Sequence, residues 1–401
     1  MNIRPILSSL LRHKTAATLI VLEIALSCAI ICNAVFLIVG RVEHMQRSSG
    51  VVEDELVYLS VSSIDHDGDG HAARIEDLTA LAAVPGVKSA SSINQVPYGD
   101  MSWSLGVSRP SDPPVSVEGA TGYLDDGNLF PTLGLRVVEG RGFEPGEYQD
   151  MTAIYAEVTP SVVLTRALAD ELFPGQSAVG NTVSAWGPEP SRVVGVIDEL
   201  IAPGTGRTAR QAHQAFIVPI RPAMGQYVLR TDPDRREDVL QAAAVALSSV
   251  NPNRLIHKQE TIEQMRRNFH SRDRAVVWLL MAVCVSLLAV TAFGIVGLAS
   301  FWVQQRTRQI GIRRALGATR RQILRYFQAE NFLLSTAGIV AGMLLAYGVN
   351  QWLMSQYELA RLPLYYLPVG GAALWLLGQA AVLGPARRAA AVPPAVATRS
   401  A

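Results

Sequence analysis

A chain of 401 residues with 49% hydrophobic content, 17% charged residues and a mean hydropathy of +0.22 is too apolar for an ordinary soluble protein, because soluble domains carry about 25% charged residues. The composition excludes a disordered chain, a collagen and a disulfide-rich secreted module. A net charge of +1 also argues against nucleic-acid binding through bulk positive charge.

The first apolar run falls in residues 16–40 and reads AATLIVLEIALSCAIICNAVFLIV. It is too long for the apolar core of a signal peptide, and no small-residue cleavage site follows it, so an uncleaved membrane anchor is predicted. Residues 41–274 then hold 21 Lys and Arg against 31 Asp and Glu, a net charge of −10. Within this segment LVYLSVSS (Leu56–Ser63) alternates like a strand, and RIEDLTALAAV (Arg74–Val84) has helical spacing that stops at Pro85-Gly86. SRPSDPPV (Ser108–Val115) is expected as a loop or extended edge, since its prolines cannot donate ladder hydrogen bonds. RVVGVIDEL (Arg192–Leu200) and AFIVPI (Ala215–Ile220) read as buried strands, and the stretch Arg235–Val250 reads as a helix after the turn at Asp232-Pro233. Residues 258–274 are charged and roughly helical, and are expected to run straight into the next span as a stalk.

The second run, 275–303, carries no charge; a helix of that length exceeds the roughly 30 Å bilayer core and must tilt or project. Two further spans are expected at 330–354 and 368–385, the last short and glycine-rich. The short loop 355–367 between them holds Tyr357, Tyr365 and Tyr366, suited to a membrane interface. Residues 1–15, the loop 304–329 and the tail 386–401 together carry 13 Lys and Arg and no acid. By the positive-inside rule these face the cytoplasm and the 41–274 segment faces outward. The expected fold class is therefore an α-helical membrane protein with four transmembrane helices and a mixed α/β extracytoplasmic domain inserted between the first and second.

Cys28, Cys32 and Cys284 all lie in apolar runs, and no C-x-x-C pair suggests a zinc or redox site. There is no G-x-x-x-x-G-K-[ST], no H-E-x-x-H and no G-x-S-x-G, so neither a nucleotide site nor a hydrolase site is expected, and no cofactor. Asp65, Asp67, Asp69, Gly70 and Glu76 do fit the calcium-loop pattern D-x-[DN]-x-[DN]-G-x5-E. A strand rather than a helix precedes them, and Ala72 stands where a bulky apolar residue is usual. A polar turn leading into the 74–84 helix is the simpler account; weak calcium binding is the alternative. Glu23 sits about a third of the way along the first span. An intramembrane acid is a functional candidate by default, but snorkelling, pairing with a neighbouring helix or a shallower position is the simpler account, since nothing else marks a proton path. Gly338-x-x-x-Gly342 and Gly294-x-x-Gly297 allow close helix contact.

The loop QQRTRQIGIRRALGATRRQILRYFQAEN is the most informative stretch. Ile310, Ile312, Leu316, Ile323, Leu324 and Phe327 stand among seven arginines, which suits a short amphipathic helix with a bend near Gly317 lying at the cytoplasmic membrane surface. It reads either as a solvated basic loop or as a docking element for a partner. RTRQIGIRRALGATRRQILRYFQAENFLLS (Arg306–Ser335) resembles the signature of the FtsX-like permeases, the mechanotransmitting ABC transporter family that includes MacB, LolC and LolE. PARRAAAVPPAVATR (Pro385–Arg399) resembles the family's tail, and VVLTRALADELFPGQSAVGNTV (Val162–Val183) with VVGVIDEL (Val193–Leu200) resembles the MacB-like periplasmic core domain. The resemblance covers essentially the whole chain, with Gln309 standing where the family commonly has a glutamate.

The resemblance implies a bacterial inner-membrane permease subunit of an export or envelope-transport complex. It would pair as a homo- or heterodimer and be driven by a separate ABC ATPase subunit that binds the ATP. A periplasmic adaptor and an outer-membrane duct are further partners it implies, and nucleic acid is not one. ATPase coupling falls by resemblance on Arg306, Arg308, Gln309, Ile310, Gly311, Ile312, Arg313, Ala315, Leu316, Gly317, Ala318 and Ile323. The other reading within the same resemblance is an FtsX-type regulator that activates periplasmic cell-wall hydrolases without transport.

Overall fold

The apolar stretch that opens the chain folds as one 32-residue helix, α1 (Lys14–Met45). The structure, a computed structural model, describes residues 14–63, 70–111, 114–151, 159–187, 189–204, 210–357 and 363–391. Two units are distinct: Met1–Met45 together with Arg272–Ala401, and Gln46–Ser271.

The second unit runs β1 (Leu56–Ser63), α2 (Gly70–Ala82), β2 (Ser89–Ser92), β3 (Ser104–Arg109), β4 (Val115–Leu124), α3 (Leu129–Leu133), β5 (Val137–Gly140) and β6 (Gln149–Asp150). It continues through β7 (Ser161–Thr165), α4 (Arg166–Leu172), β8 (Thr182–Val183), β9 (Ser191–Ile197), β10 (Ala215–Val218), β11 (Ile220–Arg221) and β12 (Gln226–Arg230). It ends with α5 (Arg236–Val250), β13 (Arg254–Thr261) and α6 (Ile262–Phe269). Among the described residues the strands form a four-stranded antiparallel sheet, β13-β1-β12-β2, a larger mixed sheet, β3-β4-β10-β7-β9-β5, with β8 against β9, and a two-stranded parallel pair, β11-β6.

Strand alternation explains the layering. Val57, Leu59 and Val61 of β1 point to one side, where they pack with Leu81 of α2 and Leu240 and Leu247 of α5. Leu56 and Tyr58 point to the other side and meet Tyr123, Ile197 and Ile217 of the larger sheet. The far face of that sheet buries Leu164, Phe216 and Val218 under Leu168 and Leu172 of α4 and Trp186. The order of layers is therefore helices, small sheet, large sheet, helix. Asp77 of α2 is buried and accepts hydrogen bonds from the Tyr227 hydroxyl at 2.7 Å and from Arg254 at 3.1 Å, which pins the helix to β12 and β13.

The strands expected at Leu56–Ser63, within Arg192–Leu200 and within Ala215–Ile220, and the helix within Arg235–Val250, are all present. One stretch differs from its sequence pattern. Residues 254–261, expected in part as the start of a helical stalk, form the edge strand β13, whose residues alternate between half-buried and exposed. Polar and charged side chains such as His257, Lys258 and Glu260 conceal that alternation in the sequence, and they are the residues by which an open edge avoids mispairing. Helix starts only at Ile262, where the Thr261 hydroxyl accepts from Gln264 N and Gln264 Oε1 accepts from Thr261 N, a capping box.

The first unit contains α1, α7 (Ser271–Gln305), α8 (Thr307–Ala315), α9 (Arg320–Tyr357) and α10 (Tyr366–Ala391). Among the described residues four helices, α1, α7, α9 and α10, are long and apolar enough to cross a membrane. Helix α9 packs on α1 through glycines: a Cβ on Gly338 would lie 2.8 Å from Ile24 Cβ, and one on Gly342 would lie 2.5 Å from Cys28 Cβ. Absent side chains let the two backbones approach, which in a bilayer supplies the packing that water-driven burial cannot. Gly370 of α10 abuts the Cys32 sulfur in the same way. Buried Ser27 and Thr291 share a hydroxyl hydrogen bond of 2.9 Å between α1 and α7. The fourth helix does not stop at Pro385 but runs through it to Ala391. A membrane helix tolerates an internal proline where neighbouring helices satisfy or shield the freed carbonyl, and Pro385 is buried.

Candidate functional site

The arginine-rich stretch between the second and third spans folds as α8, a sharp turn, and the start of α9. The turn follows from two residues. Leu316 closes α8, and Gly317 then adopts φ +97°, the left-handed conformation that glycine enters without steric cost. Gly317 N bonds to Arg314 O at 3.1 Å and Ala318 N bonds to Arg313 O at 3.0 Å, the paired bonds of a Schellman ending. Thr319 then caps α9: its hydroxyl accepts from Gln322 N at 3.3 Å, and Gln322 Oε1 accepts from Thr319 N at 2.9 Å.

This geometry sorts the residues that the sequence grouped together. Ile310, Gly311 and Ile323 are buried, and Ile310, Ile323 and Phe327 join the apolar core of the helical unit. Arg308, Gln309, Ile312, Arg313, Ala315, Leu316 and Gly317 are exposed, and Ala318 is half-buried. Ile312 and Leu316, four residues apart and hence on one face, are 47% and 83% exposed. The short helix therefore turns one apolar edge inward as an anchor and offers a second apolar edge, flanked by guanidinium groups, to whatever adjoins it.

The anchoring includes charges that sequence reasoning did not single out. Arg306 Nη1 donates to both carboxylate oxygens of Glu330, at 3.1 and 3.0 Å, and Glu330 is only 1% exposed. The Arg306 guanidinium also lies 5.5 Å over the ring of Trp302, in the last turn of α7. Two turns further along α8, the Arg313 guanidinium sits 5.2 Å over the ring of Tyr326. Glu330 lines, with Trp302, Phe327, Asn331 and other residues, a cavity of about 20 Å³. A signal for Glu330 was present: it is the one acid in residues 304–357 and follows seven arginines. Its place at the junction of basic loop and span hides that signal.

Glu23 is partly buried in α1 and packs against α7, since a Cβ on Gly294 would lie 2.6 Å from its Oε2. Of the calcium-loop pattern, Asp65, Asp67 and Asp69 lie outside the described residues. Glu76 is exposed on α2. That helix already begins at Gly70, where a calcium loop needs open backbone.

Comparison with known proteins gives two matching family models. The MacB-like periplasmic core domain matches residues 19–254, and the FtsX-like permease C-terminal domain matches residues 281–394. The macrolide export ATP-binding/permease protein MacB of Acinetobacter baylyi is 25% identical over 230 residues, 56% of this chain and 33% of that protein. The uncharacterized ABC transporter permease YvrN of Bacillus subtilis is 24% identical over 369 residues, 88% of this chain and 87% of that protein. The chain thus spans about a third of the MacB relative and most of YvrN. The crystal structure of the periplasmic region of MacB from Actinobacillus actinomycetemcomitans aligns at 15% identity with a TM-score of 0.35, covering 57% of this chain and 98% of that one.

Proposed function

The chain belongs to the family of FtsX-like permeases with a MacB-like periplasmic core domain, and from that premise we propose that it is the mechanical half of an ATP-driven export complex. In this reading it resides in the bacterial inner membrane. Both termini and α8 lie in the cytoplasm, and residues 46–271 lie in the periplasm. A separate ABC ATPase subunit seats on α8, and its closure on ATP moves the transmembrane helices. That motion is delivered to the periplasmic unit. The permease works as a dimer, and a periplasmic adaptor with an outer-membrane duct receives the cargo. The cargo itself is not assigned.

One observation carries the docking step: Ile312 and Leu316 are exposed on a cationic helix whose other edge is fixed in the core. A helix anchored on one side and bearing an apolar pair with flanking charges on the other fits a groove in a partner. The charge pattern supports the topology, with basic loops on one side and a net charge of −10 across residues 41–274.

Isolation of the tagged chain from its native membrane tests the proposal. An ATPase is expected to co-purify, and the double substitution Ile312→Asp with Leu316→Asp is expected to reduce its recovery at least tenfold while membrane insertion is unchanged. Normal recovery and normal ATP hydrolysis with the substituted chain would refute docking through this edge. Recovery of a cell-wall hydrolase bound to the periplasmic unit, with no export of any cargo, would favour the regulator instead.

A further inference from the structure

Helix α8 is only nine residues long, and its first-turn contact is electrostatic. Arg306, the residue immediately before it, donates to both oxygens of Glu330, which lies ten residues into α9. The pair is enclosed: the side chains are 13% and 1% exposed. Arg306 also closes the chain locally, since its own N–H bonds to Trp302 O at 3.1 Å and its carbonyl accepts from Ile310 N at 2.9 Å. One residue therefore belongs at once to the end of α7, the start of α8 and, through its guanidinium, to α9.

We infer that Arg306 and Glu330 are positioning residues that lock α8 to α9, so that a force on the exposed edge of α8 moves the spans instead of swinging the short helix. The physical ground is the asymmetry of buried ion pairs. An intact pair contributes little net stability over an apolar replacement, but parting it leaves an uncompensated charge in a low-dielectric site. Such a pair is a poor glue and a strong constraint on geometry. Residues 304–357 contain a single acid among seven arginines, and the bond to Arg306 selects one attachment point where a uniformly basic surface would offer none. The Arg313–Tyr326 stacking adds a second point one turn earlier on α9. Together with buried Ile310 these contacts hold both ends of α8.

The force in this inference rests on the docking reading above, but the lock can be read without any partner. Amide hydrogen exchange is measured on the full chain in lipid nanodiscs. With Glu330→Gln, exchange across 307–318 is expected to accelerate at least tenfold, while 335–350 is unchanged. The charge swap, Arg306→Glu with Glu330→Arg, is expected to restore exchange to within about threefold of the native chain. Native-like exchange in Glu330→Gln, or a swap no slower than the single variant, would overturn the lock. Glu330→Asp serves if the glutamine variant fails to fold; it keeps the charge but shortens the reach, and must then show intermediate exchange, with native exchange counting against the inference. Should the Ile312/Leu316 substitutions leave ATPase recovery intact, the docking reading fails, and the exchange result still decides the lock.

Discussion

Asp125 shows how one buried carboxylate in the periplasmic unit ties stability to pH. Its side chain has no exposed surface, and it accepts hydrogen bonds from Gly127 N, Leu129 N and the Tyr148 hydroxyl at 2.8, 3.1 and 2.8 Å. Burial outweighs these bonds and pushes its pKa up to about 6. Between roughly pH 4 and 6 the folded chain then keeps a proton that the unfolded chain has released, so stability contributed at this position falls as pH rises. At 1.36 kcal/mol per unit the full effect is about 3 kcal/mol. Asp125→Asn keeps an acceptor for the two backbone donors and removes the titration. The prediction is that wild type gains on the variant by up to about that amount as pH is lowered from 7 to 4, read as the difference in unfolding midpoint of the full chain in detergent. A difference that is constant, or that grows with rising pH, would contradict the burial account. Nothing in the sequence marked Asp125, because its environment is assembled from Val218, Tyr148 and the start of α3, which lie apart in the chain.

At the scale of elements, what could be read in advance depended on whether the cause was local. Hydropathy over 18 or more residues is a local cause, and it located the four long helices; the turn at Gly317 is another, since the Schellman ending needs one glycine at one position. The inward and outward edges of α8 were not readable, because which of Ile310 and Ile312 is buried depends on where α9 passes. Strand β13 was missed for a related reason: its pairing with β1 lies almost two hundred residues away in sequence. The glycines of α9 fall between these cases. The G-x-x-x-G spacing is common in membrane helices and weak alone, yet here each glycine meets α1 directly. A Cβ on Gly342 would lie 2.5 Å from Cys28 Cβ and 2.7 Å from the Ala25 carbonyl oxygen, and backbone cannot swing aside. Gly342→Val is therefore expected to lower the stability of the full chain by about 1–3 kcal/mol, the usual cost of overpacking. Gly348→Ala, in the same helix with nothing within 4 Å, is expected to leave it unchanged or slightly raised. Equal melting of the two variants would show that α9 does not pack on α1 along this line.

For the molecule as a whole, the decisive asymmetry is electrostatic. Thirteen basic residues and no acid in residues 1–15, 304–329 and 386–401, set against a net −10 in residues 41–274, predict by the positive-inside rule that the basic segments face the cytoplasm. Chain order adds a constraint on sidedness but not on which side is which: α1 and α7 are separated by a folded unit of more than two hundred residues, and α7 and α9 by only a short basic helix and turn. If four helices cross the membrane, the large unit and α8 must lie on opposite sides. Single cysteines test this, because the native Cys28 and Cys32 are buried within the helices and Cys284 is partly so. Met101→Cys, at a site 45% exposed in the large unit, is expected to react with a membrane-impermeant maleimide in cells whose outer envelope has been opened. Leu316→Cys, at a site 83% exposed, is expected to react only after the inner membrane is breached, in a ratio of at least tenfold. Labelling of both from the same side would leave α8 unable to meet a cytoplasmic ATPase, and the export mechanism would have to be abandoned even though the fold and the family assignment would stand.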